Sequence, residues 1–330
     1  DLKLIPAPIR HLGTGRTQAI LQAMKDYLEE RGVEVRTDTP VEEILVADGR
    51  VTGLLTRKGE KINATQLVLA PGREGSDWLR RVAGKLKLKL AVNPVDIGVR
   101  VEIPAAVMEH LTSVIYEPKF IFYSRKFDDR VRTFCMNPYG EVVLENNEGL
   151  ITVNGHSYAD KKTNNTNFAL LVSKTFTEPF KEPIAYGRSV AQLANLLGGG
   201  VLLQRLGDLL SGRRTTADRL QKGLVTPTLT DATPGDLSLV FPYRHLTAIV
   251  EMLAAMDKIA PGIYSRHTLL YGVEVKFYSS RLNLNSNLET NIKGLYGAGD
   301  GAGVTRGLAQ ASASGVIVAR AIRQAGIGRR

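Results

Sequence analysis

The stretch GLYGAGDGAG, from Gly294 to Gly303, decides the fold assignment of this 330-residue chain. A short apolar strand enters the stretch, a glycine-rich loop follows, and the pattern predicts a helix over 306–324. The start of that helix, at Gly307 to Gln310, offers unpaired N–H groups and a partial positive charge to an anion. The stretch therefore predicts a loop, lined by backbone, that can accept an anionic ligand.

The predicted helix has one smooth face. Small residues recur at every fourth position and so lie on the same side of the helix: Gly307, Ala311, Gly315 and Ala319. A face of this kind lets the backbone approach a flat ligand, or lets two elements pack closely.

The loop also matches a dinucleotide pattern, Gly-x-Gly-x-x-Ala, through Gly297, Gly299 and Ala302. It does not match the entry motif of a Rossmann unit, because that motif needs a second strand ending in an acidic residue about 20 positions later. We interpret it as a closing motif that touches a bound dinucleotide, in which Asp300 accepts hydrogen bonds from sugar or ribityl hydroxyls and its neighbours Gly299 and Gly301 leave room for phosphates. The alternative is an ordinary glycine-rich turn with a capping aspartate.

The first ninety residues combine a helix with a β-meander. A half-buried helix is predicted around 20–28, with Thr14 as N-cap and Gly32 as stop, followed by a strand at 33–37. A hairpin is predicted around Asp48-Gly49. The next strand, 66–70, is apolar throughout, as in a strand buried on both faces, and it ends at Pro71-Gly72.

From about residue 93 the pattern changes to strands and then to helices. Strands are predicted at 95–101, 114–123, 131–136, 141–144, 150–153, 168–172 and 268–278. Helices are predicted at 189–197, 201–210 and 246–259. Along the last strand Tyr271, Glu274 and Lys276 alternate with apolar residues, which is typical of a half-exposed strand and also compatible with a catalytic role.

Composition excludes several classes of protein. The chain is 43% hydrophobic and 23% charged, which suits a folded core rather than disorder. It has a single cysteine, so no internal disulfide exists, and its five histidines lie too far apart in sequence for a zinc site. No apolar run is long enough for a membrane helix. A formal charge of +10 attracts phosphates, but the basic residues are dispersed and not interleaved with aromatics, so solvated faces are favoured over nucleic-acid binding.

Residues 289–308 resemble the C-terminal FAD motif of two-domain flavoproteins, and more narrowly a family of bacterial FAD-dependent dehydrogenases of poorly defined substrate. Three other segments support the likeness: His11-Leu12-Gly13-Thr14, Leu69-Ala70-Pro71-Gly72, and Thr152-Val153-Asn154-Gly155 with Asn164 to Ala169. The resemblance covers essentially the whole chain.

The resemblance implies FAD as cofactor and assigns positions around it. The backbone at the start of the meander would contact adenine, the end of strand 66–70 would lie beside the ADP half, and the start of the last helix would meet the flavin C2 carbonyl, where its dipole stabilises negative charge near N1. The implied FAD contacts are Val41, Ala70, Gly72, Gly299, Asp300, Gly301, Gly307, Leu308, Ala309 and Gln310. No metal ligand and no catalytic residue is assigned.

One part of the family pattern is missing. Such flavoproteins begin with a strand, a Gly-x-Gly-x-x-Gly loop and a helix that hold the FAD pyrophosphate, whereas Gly13-Thr14-Gly15 lacks the third glycine and follows no apolar strand. We therefore expect a truncated chain that binds FAD weakly or not at all. The expected fold class is α/β plus α+β: an incomplete Rossmann-like, three-layer FAD domain with a β-meander from 1–92 and 280–330, and an inserted mixed α+β substrate domain from 93–279.

The predicted function is that of an FAD-dependent oxidoreductase, or its C-terminal fragment, passing a hydride through the flavin N5. The alternative is an anion- or RNA-binding module on a flavoprotein scaffold. A hydrolase is not favoured, because no Gly-x-Ser-x-Gly elbow occurs. The expected partners are a small-molecule substrate and a nicotinamide or other electron partner, with neither nucleic acid nor membrane, in the cytoplasm.

Overall fold

The structure is a computed structural model that describes residues 2–6, 16–72, 75–91, 94–147, 149–158, 161–176, 180, 182–276 and 281–327. The chain divides into two compact units. The sheet unit comprises Asp1–Asp26, Val95–Phe176 and Glu182–Lys276, and the meander unit comprises Tyr27–Pro94, Thr177–Lys181 and Phe277–Arg330. The sequence analysis assigned residues 1–92 to one domain, whereas residues 1–26 cluster with the sheet unit, where Lys3–Ile5 pairs as an edge strand.

The described elements form runs of strands separated by single helices or short groups of helices. The strands are β1 (Lys3–Ile5), β2 (Val41–Ala47), β3 (Arg50–Thr56), β4 (Lys61–Asn63), β5 (Leu67–Leu69), β6 (Leu90–Ala91), β7 (Val95–Pro104), β8 (Lys119–Tyr123), β9 (Arg130–Asn137), β10 (Glu141–Asn147), β11 (Leu150–His156), β12 (Asn165–Lys174), β13 (Leu202–Arg205), β14 (Thr233–Pro234), β15 (Leu269–Lys276), β16 (Arg281–Leu282) and β17 (Leu295–Gly297). The helices are α1 (Thr17–Glu29), α2 (Ser76–Lys85), α3 (Ala105–Thr112), α4 (Pro183–Gly198), α5 (Leu206–Leu210), α6 (Ala217–Gln221), α7 (Tyr243–Asp257) and α8 (Leu308–Ile327).

The sheet unit is built on an eight-stranded sheet in the order β1-β8-β9-β12-β7-β15-β13-β14. Its pairs are antiparallel except for the parallel pair β13–β14. The central strand β7 alternates strictly: one face carries Val and Ile, and the other carries Asp96, Gly98, Arg100 and Glu102. Since nine of the ten residues of β7 are buried, this sheet has an apolar face and a buried polar face.

Register places further polar residues on the polar face. Glu102 pairs with Asn167 of β12, and Asp96 pairs with Lys276 of β15. Residues directly opposite in neighbouring strands point to the same side of a sheet. The β10–β11 hairpin supplies Val142 and Val153, which pack with Leu269 and Tyr271 in one apolar cluster.

The meander unit contains the predicted hairpin. Asp48 and Gly49 have φ of 50° and 69°, which is the conformation that a tight two-residue turn between β2 and β3 requires. β5 pairs in parallel with β17. The core of the unit includes Leu69, Leu79 and Leu295, from β5, α2 and β17 respectively.

Two segments differ from their prediction because no other element in the described part of the chain covers them. None of the thirteen residues of α1 is buried, although its apolar stripe predicted a half-buried helix. The predicted strand 33–37 pairs with no strand of the described residues; its Arg36 forms ion pairs with Glu34 and Glu60 instead. The predicted cap Thr14 lies outside the described residues.

Other differences arise because a short apolar run in a sequence is compatible with both a strand and a helix. The predicted helix 201–210 is strand β13 followed by the short helix α5. Strand β5 is not buried on both faces, since Val68 is 42% exposed. Helices α2 and α3 were not predicted, and the predicted strand 114–123 begins only at Lys119. No helix within the described residues is long and apolar enough to cross a membrane.

Candidate functional site

The two loops singled out by sequence lie side by side in the meander unit. β5 and β17 are parallel neighbours, with Leu67 opposite Leu295 and Leu69 opposite Gly297. The N–H of Ala298 donates to the carbonyl oxygen of Leu69 at 2.9 Å, which continues the pairing to the strand ends. Ala70 and the following turn therefore meet the loop that follows β17 at the carboxyl edge of the pair, the position at which open α/β sheets bind ligands.

Gly301 and Gly72 hold these loops together by backbone contact. A Cβ on Gly301 would lie 2.1 Å from the carbonyl oxygen and 2.5 Å from the nitrogen of Gly72, so any side chain there forces the loops apart. A Cβ on Gly72 would meet nothing within 4 Å. The two loops thus touch on one side and leave open space on the other.

Asp300 closes the loop that leads into α8. Its Oδ1 accepts a hydrogen bond from the hydroxyl of Thr305 at 2.6 Å and another from the N–H of Gly307 at 3.1 Å. These bonds fix the turn in front of α8; Gly307 directly precedes the helix, so they do not satisfy a helical N–H. The contact of Asp300 with a sugar or ribityl hydroxyl stays a prediction.

Helix α8 begins directly after this loop. Leu308, its first residue, is 82% exposed, and Ala309 and Gln310 are exposed as well. The first N–H groups of an α-helix have no partner within the helix, so this end presents donors and a positive dipole end. The hydroxyl of Ser314, one turn further on, accepts the N–H of Gly299 at 2.9 Å and ties the glycine loop to the helix.

Val41 belongs to a different part of the meander unit. It is the first residue of β2, and its carbonyl oxygen accepts a hydrogen bond from Nε1 of Trp78 in α2 at 2.7 Å. Among the described residues no hydrogen bond connects Val41 to the glycine loops. The structure therefore joins Ala70, Gly72 and the α8 loop, and places Val41 against α2.

The sheet unit contains a second polar constellation, which the sequence analysis did not assemble. Arg100 donates from Nε and Nη2 to the two carboxylate oxygens of Glu274 at 2.8 and 2.7 Å, and both side chains are fully buried. Its Nη1 and Nη2 also donate to the carbonyl oxygen of Cys135 and to Oδ1 of Asn154. The ammonium of Lys276 lies 3.2 Å from Oε1 of Glu274 and extends the network along β15.

Glu102 forms a neighbouring buried cluster on the same face. Its carboxylate accepts hydrogen bonds from the hydroxyls of Tyr271 and Thr228, both at 2.5 Å, and from Nδ2 of Asn165 at 3.0 Å. Burial raises the pKa of Glu102, and burial together with the adjacent Glu102 raises the pKa of Tyr271 well above its usual value.

This arrangement corrects one expectation. Tyr271, Glu274 and Lys276 were expected on a half-exposed strand, but every residue of β15 is buried. The strand is covered because the β10–β11 hairpin and its neighbours pack over the polar face. A signal was present in the sequence: Asp96, Arg100 and Glu102 alternate with Val and Ile, which places charges inside a strongly apolar strand.

A small cavity of about 210 Å³ lies elsewhere in the meander unit. Gln66 and Gly294 line it, and they precede β5 and β17, so it opens at the opposite ends of these strands from the glycine loops. It is therefore separate from the candidate site.

Comparison with known proteins assigns the chain. The sequence profile of the family described as "FAD-dependent protein, C-terminal domain-like" matches residues 94–277, more than half of the chain. The chain belongs to this FAD-dependent family. The profile of the FAD dependent oxidoreductase family also matches, over residues 10–161.

Two similar proteins are longer than the chain. An uncharacterized protein of Clostridium beijerinckii is 28% identical over 333 residues, covering 94% of this chain and 61% of the relative. A crystal structure of an oxidoreductase from Methanosarcina mazei covers 91% of this chain and 52% of that protein, with 14% identity and a TM-score of 0.35. The chain thus spans about three fifths of the curated relative it matches.

The residues at the glycine loops fit one wall of an FAD site. Beside Gly72 the surface is open, and a Cβ on Gly299 would meet only Ala311, at 3.8 Å. The exposed start of α8 supplies N–H donors suited to phosphate or to the flavin C2 carbonyl. These donors, and the few side chains around them, suit a dinucleotide. At Val41 the carbonyl oxygen already accepts a hydrogen bond from Trp78, so the predicted contact with adenine would use a neighbouring backbone group.

Proposed function

We propose that this chain is the larger part of an FAD-dependent oxidoreductase, with the cofactor lying across the Gly72 and Gly299–Gly303 loops and the start of α8. The observation that carries this proposal is the backbone contact of Gly301 with Gly72, which unites two loops from distant parts of the sequence beneath an exposed helix N-terminus. The family matches support FAD as the cofactor.

Each group of this chain would have a defined task. The glycine loops allow the ligand to approach the backbone, and the N–H groups of Leu308, Ala309 and Gln310 bind its negative charge. Asp300 fixes the loop before α8 and thereby orients these N–H groups toward the ligand. Bound FAD supplies the redox chemistry, accepting a hydride at its N5. The substrate is proposed to be a small molecule, with a nicotinamide or another electron carrier as second partner.

The affinity for FAD should be low in this chain taken alone. Residues 1–92 contain no Gly-x-Gly-x-x-Gly loop, the unit that supplies the tightest phosphate contacts in such flavoproteins. The single tryptophan, Trp78, lies in the meander unit, so quenching of its fluorescence can measure the binding of FAD. Equilibrium dialysis of FAD is the second measurement.

Leu308→Asp tests the site. An acidic residue in the first turn of a helix stabilises the helix but repels phosphate. We therefore expect the affinity for FAD to fall at least fivefold, while the free energy of unfolding stays unchanged or rises slightly. Leu196→Asp is the matched control, because Leu196 is 80% exposed on α4, outside the candidate site. Equal effects of the two substitutions would reject this location for the cofactor.

A further inference from the structure

Lys276 lies at the outer end of the buried ionic network in the sheet unit. Its side chain is 6% exposed, and its ammonium lies 3.2 Å from Glu274 and 3.4 Å from Oε2 of Glu145. Glu274 is already fixed by the bidentate contact with Arg100. A lysine this deeply buried needs a nearby counter-charge, because an unpaired buried charge is strongly unfavourable.

Glu145 supplies the outer counter-charge but is weakly held. Its side chain is 36% exposed, and its two contacts are long: 3.4 Å from the Lys276 ammonium and 3.4 Å from Nδ2 of Asn154. Ion pairs with an exposed partner contribute little to stability, because solvent screens them. Another carboxylate can therefore take the place of Glu145 without changing the net charge of the network.

The surroundings of this position distinguish one class of carboxylate. Phe134 is half-buried, and the Lys276 ammonium lies 5.9 Å from the centre of its ring. Arg132 lies over the same ring at 4.6 Å and pairs with Asp96 at 2.6 Å. The Lys276 ammonium thus has an aromatic ring nearby, in addition to the Glu145 carboxylate, which also accepts from the amide of Asn154.

We propose that Lys276, Asn154 and Phe134 form a binding position for small monocarboxylates, preferably with an apolar or aromatic group, and that Glu145 occupies it as a displaceable internal counter-ion. The carboxylate of the ligand accepts hydrogen bonds from the Lys276 ammonium and from Nδ2 of Asn154, while Glu145 turns to solvent. The inference goes beyond the flavin function and uses none of the residues at the glycine loops.

Benzoate is the probe, titrated into the full flavin-free chain by isothermal calorimetry and followed by ligand-observed NMR. We expect Glu145→Gln to raise benzoate affinity at least fivefold, because it removes the competing carboxylate and keeps the side-chain shape. Glu141→Gln is the matched control: Glu141 lies on the same strand, β10, and pairs with the exposed Lys161. That substitution should leave the affinity unchanged.

Lys276→Met should abolish benzoate binding, and Lys276→Arg should retain it within about threefold, which separates loss of the cation from loss of folding. Phe134→Ala should weaken benzoate at least threefold while leaving acetate binding unchanged. An affinity that Glu145→Gln does not raise, or that Glu141→Gln raises equally, would overturn the proposal. Because FAD is absent from these titrations, their outcome is independent of the outcome of the Leu308→Asp test.

Discussion

Arg100 and Glu274 form a bidentate ion pair between neighbouring strands of one sheet, and neither side chain is accessible to solvent. Removing one partner leaves an uncompensated buried charge, which costs about 3–5 kcal/mol. We expect Glu274→Gln and Arg100→Met each to lower the free energy of unfolding by this amount in urea titrations. The double substitution Arg100→Met/Glu274→Met should cost less than the sum of the two; strictly additive losses would show that the residues do not act as a pair.

Gly301→Ala tests the contact of the two glycine loops. The added Cβ lies 2.1 Å from the backbone oxygen of Gly72, so the loops must move, and we expect a loss of about 1–3 kcal/mol in unfolding free energy. Gly315→Ala is the control, because Gly315 lies inside α8 with open space around its Cβ position. There the exchange should be neutral or stabilise the helix by up to about 1 kcal/mol, since alanine is the better helix former.

The hydrogen bond from Thr305 to Asp300 holds the entry to α8. Thr305→Val removes the donor but keeps the side-chain shape, and we expect a cost of about 1 kcal/mol in thermal or urea unfolding. Thr305→Ser keeps the hydroxyl and should behave as wild type. If valine and serine at this position are equally stable, the hydroxyl does not hold the loop.

His245 predicts a pH dependence. It is 2% exposed, and burial, with the Lys174 ammonium as the next cause, lowers the pKa of His245 from 6.5 to about 4. The unfolded chain therefore binds this proton more readily than the folded chain, so stability is fully present above pH 6.5 and falls as the pH drops from 6.5 to 4. The loss amounts to about 3 kcal/mol across this range.

Urea unfolding at several pH values measures this slope. His245→Leu should flatten the stability profile between pH 4 and 6.5, because the variant has no imidazole to protonate. A variant with the same slope as wild type would assign the pH dependence to other groups.

The environment of Cys135 predicts an unreactive thiol. Burial raises the pKa of its thiol to about 11, so little thiolate exists at pH 8. As the single cysteine, it should react slowly with a thiol-specific chromogenic reagent in the native protein and rapidly in urea. Fast labelling under native conditions would contradict the raised thiol pKa.

The glycine loops were predictable because their signal is local. Turn residues, a following amphipathic helix and a strand end at Pro71 are all visible within short windows, and the structure brings these segments together. The hairpin at Asp48-Gly49 was predictable for the same reason, since this dipeptide suits positive φ.

The buried ionic network was not predictable in the same way. Arg100 and Glu274 are distant in sequence, and their contact depends on the pairing of β7 with β15, including a register shift between Tyr271 and Glu274. The apolar stripe of α1 and the alternation at 33–37 were visible in the sequence but did not lead to burial. Periodicity predicts which face of an element can be buried, but not whether another element packs against it.

The pairing of β5 with β17 has a consequence for the order of folding. Most of the sheet unit lies between Leu67 and Leu295 in sequence, so among the described residues β5 has no strand partner until β17 has left the ribosome. Contacts between such distant segments form late, because chain closure must come first. During synthesis most of the sheet unit can therefore assemble before the two glycine loops come together, and the proposed FAD site would be completed only at the end.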